Sequence, residues 1–114
     1  MRNKYDYLRL DRVDEPSPVE ATASWTLTND RHETVTITTA VLPDGAWVYG
    51  YNVLWARGGN SFRHPSADSG VFRTQREAYL HAIGFMCVYS EYFIPATQNA
   101  LVAAELKIIQ PELF

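Results

Sequence analysis

Cysteine is nearly absent from this chain: Cys87 stands alone inside an apolar run. A single thiol closes no internal disulfide, so nothing points to an oxidising compartment. With no His, Lys or Arg beside it in sequence to lower its pKa, it reads as core packing. Lysine is almost as scarce, limited to Lys4 and Lys107, and the arginines are scattered through a chain of formal charge −3. Strong direct binding to nucleic acid normally needs clustered cations along one surface, and that footprint is missing. No apolar run is long enough to span a bilayer. The opening MRNKYDYLRLD also lacks the apolar core of a signal peptide. The expectation is a cytoplasmic protein with no membrane partner.

Metal-ligand spacing is missing too. His32, His64 and His81 are not spaced with one another, with Cys87 or with a carboxylate as ligands would be, so neither a metal nor a cofactor is expected. His81 reads most simply as a half-exposed helix residue. Internal repeats and low-complexity segments are likewise lacking.

What is present describes one α+β domain over residues 1–114, long enough to bury a core without staples. Tyr5 to Val13 reads as a short strand or a helical turn, and DEPSPVE then interrupts regular structure, because Pro16 and Pro18 lack backbone donors. Ala23–Thr28 alternates Trp25 and Leu27 with polar residues. Glu33–Leu42 alternates Val35, Ile37 and Val41 with threonines, which implies one buried and one wet face. Pro43-Asp44-Gly45 is a turn leading into AWVYGYNVLWA, and the two runs form a hairpin. Gly58–Gly70, GGNSFRHPSADSG, reads as a thirteen-residue loop, and Val71–Arg73 as a short strand returning to the sheet. Thr74 and Glu77 then make a capping box before AYLHAIGFMCVY. That helix is apolar nearly all round and needs cover on two sides, one from the sheet and one from a second helix that begins near Pro95 and ends at Pro111. The predicted fold is an antiparallel sheet of three or four strands followed by two C-terminal helices packed on one face.

No catalytic constellation emerges. Arg63, His64, Ser66 and Asp68 lie close in sequence, but proximity along the chain is not triad geometry, and no Gly-x-Ser-x-Gly elbow accompanies them. Gly58-Gly59-Asn60 lacks the lysine of a phosphate loop and opens no helix. Asp14 and Glu15 have no apolar surroundings to separate their pKa values. The chain therefore reads as a binding protein without enzymatic activity. A small hydrolase using the His64 loop is a second class.

Two surfaces stand out as partner-binding candidates. Trp47, Tyr49, Tyr51 and Trp55 share one strand face at period two. They are either core beneath the helices, the favoured reading, or an open platform for a protein partner, and period alone does not say which face is covered. In the long loop Phe62, Arg63 and His64 follow the compliant Gly58-Gly59 pair, and a ring beside a guanidinium is a common interface anchor.

The ending QPELF resembles the short peptide by which bacterial replication and repair proteins dock on the sliding clamp. Pro111 stands where Leu is usual, and Glu112 where Ser or Asp is common. The resemblance implies that Gln110, Leu113 and Phe114 are anchors on an extended docking tail over 110–114. The alternative is that Leu113 and Phe114 fold back as a staple, and cutting after Ile109 then destabilises the domain. From LPDGAWVYGY to GVFRTQREAYLHAI the chain is similar to small α+β proteins of phages and plasmids, and its element order resembles antitoxins of the HicB type. Such elements also encode anti-CRISPR proteins. The resemblance implies an inhibitor or adaptor on a host nucleic-acid-processing or defence complex, or else an antitoxin-type regulator. The partner is a host protein complex, and the oligomeric state is open, a homodimer included.

Overall fold

The computed structural model describes residues 2–30 and 32–109. Four antiparallel strands, β1 (Ala23–Asp30), β2 (Glu33–Val41), β3 (Trp47–Leu54) and β4 (Asn60–Ser66), lie side by side in chain order. Two helices follow, α1 (Gln75–Val88) and α2 (Pro95–Ile109), both on one face of the sheet. The predicted α+β fold is the observed one, with four strands.

The period-two reading of β2 holds through Thr39: Val35, Ile37 and Thr39 are fully buried, while Thr34, Thr36 and Thr38 alternate on the wetter side, but at the strand's end the expected Val41 is 41% exposed and Ala40 is buried instead. At the start of α1 the Thr74 hydroxyl accepts the Glu77 N–H at 3.1 Å, giving the expected cap. The Glu77 carboxylate pairs with Arg73 at 3.2 Å instead of reaching back to the cap. The return after β4 is a single bridge, in which Phe72 and Trp47 exchange both backbone hydrogen bonds at 2.8 Å.

Two expectations need correction. Gly58–Gly70 is not a loop. It holds all of β4, paired in register with β3 from Leu54↔Asn60 to Tyr51↔Arg63, and then a 3-10 turn at Ala67–Ser69. Of the two alternatives for Tyr5 to Val13, the structure takes the helical turn, a 3-10 turn at Asp6–Leu8. His81 is not half-exposed but buried, at 6% exposure. The reason is a third cover on α1 supplied by the N-terminal segment, where Asn3 donates to the His81 carbonyl at 2.9 Å. Tyr5 and Asn3 fill the space beside Gly84 that a side chain there would need.

His81 bridges two elements. Asp6 Oδ1 lies 2.7 Å from Nε2 and the Tyr49 hydroxyl 2.9 Å from Nδ1. An ionised carboxylate only accepts, so Nε2 carries the proton, and Nδ1 of the neutral ring accepts from Tyr49. Burial lowers the His81 pKa more than Asp6 raises it. The unfolded chain, with an ordinary pKa of about 6.5, therefore takes up a proton first as pH falls. Stability should be full above about pH 6.5 and decline below it. Thermal melts of wild type and His81→Gln at pH 7.5 and 5 should show a smaller pH dependence in the variant. Equal slopes would contradict this account.

Candidate functional site

The aromatic face of β3 is the covered one, but not along its whole length. Tyr49 is 1% exposed, ringed by Phe72 and His81 with centroids 5.9 and 5.6 Å away. Half-buried Trp47 packs on the same cluster. At this end the favoured core reading is what the structure shows, and Tyr49 offers a partner no surface. Toward the far end of β3 the cover thins, because α1 stops at Val88 and the chain turns through Ser90–Tyr92.

A groove of about 400 Å³ opens there. Tyr51, Val53 and Trp55 form its floor, and Phe85, Met86 and Tyr89 of α1 form one wall. The rings brace one another: Tyr51 lies 5.4 Å from Phe85, and Phe85 meets Tyr89 edge-on at 5.2 Å. Trp55 stacks on Phe93 at 4.7 Å, and its indole N–H donates to Ser61 Oγ at 2.9 Å, which fixes the ring plane. Tyr89 and Tyr92 keep 45% and 52% of their surface in solvent.

The turn after β3 places a cation at the groove's end. Trp55 and Gly59 close it by backbone hydrogen bonding at 3.0 Å, and Gly58 and Gly59 take φ values of +103° and +83° that a side chain would resist. Arg57 is thereby folded back over the rings, its guanidinium carbon 5.1 Å from the Trp55 centroid and 5.9 Å from that of Tyr92. Among the described residues no carboxylate pairs with Arg57.

Glu33 holds this end together, and the sequence reading missed it. The buried carboxylate accepts the Ile94 N–H at 3.1 Å and the Ala56 N–H at 3.3 Å, tying the turn after β3 to the start of α2. The available signal was its place in the period of Val35 and Ile37, on the buried face.

The loop candidates are separated by becoming a strand. Arg63 stands opposite Tyr51 and so shares the groove's face, whereas Phe62 stands opposite Asn52 on the other face. His64 accompanies Phe62 there, with ring centroids 4.7 Å apart. Ser66 is buried opposite Tyr49, beyond a register shift, and its hydroxyl accepts the Asp68 N–H at 3.3 Å. Asp68 in turn pairs with Arg63 at 3.3 Å. Among the described residues no hydrogen bond joins His64 to Ser66, and no cluster of His, Cys, Asp and Glu is arranged to hold a metal ion. No helix among the described residues is long and apolar enough to cross a membrane. Burial pushes the Cys87 thiol up, away from reactivity. The tail candidates Gln110, Leu113 and Phe114 lie outside the described residues.

No family model matches the chain, and neither a curated protein nor a solved structure matches it.

Proposed function

We propose that the chain is a non-enzymatic binding module that seats part of a protein partner in the groove between β3 and α1. The observation that carries this reading is the groove itself: an apolar, ring-lined concavity of about 400 Å³ with Tyr89, Tyr92 and Arg57 at its mouth. Its volume lies in the range of binding sites, and Tyr, Trp and Arg are the residue types that anchor interfaces. That no hydrogen bond joins His64 to Ser66 among the described residues favours this reading over the alternative of a small hydrolase. The partner class, a surface of a larger host complex, follows the likeness to small phage and plasmid proteins.

Two variants test the reading on the partner that the wild-type chain retains from bacterial lysate. Tyr92→Ser should lose most of that retention, because the groove loses a ring at its mouth. His64→Ala should keep it. Retention that survives Tyr92→Ser and disappears in His64→Ala would move the site to the opposite face of the sheet.

A further inference from the structure

One guanidinium lines the groove at one end, and a second arginine stands just outside its other end. Arg57 is held over Trp55 and Tyr92 at one end. At the other, Arg63 stands opposite Tyr51 on the same sheet face. Four residue steps along extended backbone carry the groove floor about 13 Å from Tyr51, the residue opposite Arg63, to Trp55, the ring beneath Arg57. Neither charge is held by a buried carboxylate among the described residues. Arg57 pairs with no carboxylate among the described residues. Arg63 pairs only with Asp68, at 3.3 Å and with both side chains about half in solvent, a contact that a competing carboxylate replaces at little cost. Glu33, the buried carboxylate of the Arg57 end, bonds to the backbone amides of Ala56 and Ile94, and no ion pair joins it to Arg57 among the described residues.

Resting on the docking reading above, we propose that the occupant is an extended acidic segment of a protein partner. One large aromatic side chain enters between Tyr51 and Trp55, and a carboxylate two residues to either side meets Arg57 and Arg63. Extended backbone rises about 3.3 Å per residue and returns side chains to the same side every second position. Residues two before and two after the anchor are then about 13 Å apart. That span matches the length of the groove floor from Tyr51 to Trp55, near whose ends the two arginines stand, so the pattern is acidic-x-aromatic-x-acidic. The charge complementarity is local: a chain of net charge −3 presents Arg57 at the mouth of a ring-lined concavity and a solvent-exposed Arg63 near it.

The test uses three blocked heptapeptides, each titrated into isotopically labelled protein while the Trp55 indole N–H resonance is followed. The first is Ser-Asp-Ser-Phe-Ser-Asp-Ser; in the second both Asp are Lys, and in the third Phe is Ala. The first should move the resonance and saturate. The lysine version should bind about tenfold more weakly at low salt, a gap that narrows at high salt. The alanine version should leave the resonance in place. In Arg57→Gln/Arg63→Gln, whose exposed sites leave the fold intact, the aspartate and lysine peptides should bind alike. Equal binding of those two peptides to the wild-type chain would overturn the acidic assignment and leave the docking groove standing. Movement by the alanine peptide equal to that by the phenylalanine peptide would overturn the aromatic anchor. If none of the three moves Trp55, this inference and the groove's docking role both fail.

Discussion

Phe72→Ala should cost about 3–5 kcal/mol of folding stability, a large part of the roughly 5–15 kcal/mol that holds a domain of this size together. Phe72 is completely buried, with the rings of Tyr49 and His81 at 5.9 and 4.9 Å. It is also the residue through which the chain rejoins β3 after β4. Truncation removes the ring from all of these at once, and the backbone bridge to Trp47 prevents the site from collapsing to fill the space. Phe62→Ala is the control, because that ring is 55% exposed and, among the described aromatic residues, packs against His64 alone. Its cost should stay within about 0.5 kcal/mol. Urea denaturation of both variants checks the pair. Similar losses for the two would mean that the sheet does not bury the face described.

Gly50→Ala should be nearly as damaging, for the opposite reason. At Gly50 the backbone of β4 passes so close that a methyl group would sit 2.5 Å from the Pro65 nitrogen and 2.6 Å from the His64 carbonyl carbon. The obstacle is main chain, which has no rotamer to move aside. β4 must shift or detach at its bulge, at a cost of about 3 kcal/mol, or a fall in melting temperature of roughly 10 °C or more. Unfolding followed by the amide resonances of β4 would show this strand loosening first. A stable Gly50→Ala protein with β4 intact would contradict the close crossing.

That crossing also explains which part of the fold was legible in sequence. β1 and β2 announce themselves because apolar residues alternate with threonines, β3 because aromatic residues recur at period two, and α1 because Thr74 caps an apolar run. β4 carries no such signal. Asn60, Phe62, Arg63 and His64 are all exposed, and Pro65 and the flanking glycines are turn residues by composition. It is a strand because Gly50 lets it approach β3, and that cause lies in another segment. His81 was misread for a similar reason, since the groups that bury and bond it, Tyr49 and Asp6, are far away in sequence.

The candidate site was legible in half. Period two correctly put Trp47, Tyr49, Tyr51 and Trp55 on one face. How far the helices cover that face depends on where α1 ends, and the result is a buried Tyr49 beside half-open Tyr51 and Trp55. Arg57 drew no attention in the sequence, because only the Gly58-Gly59 turn brings its guanidinium back over the rings. Arg63 was singled out as an anchor together with Phe62, and the strand pairing sends the two to opposite faces.

The central claim is that the chain acts through the groove between β3 and α1. Photo-crosslinking in lysate tests it most directly, with benzoylphenylalanine placed at Tyr92 in one protein and at Thr26, on the opposite sheet face, in another. The account predicts a discrete crosslinked adduct from the Tyr92 position, lost when the acidic aromatic peptide is added in excess, and none from Thr26. An adduct from Thr26 with none from Tyr92 would contradict it.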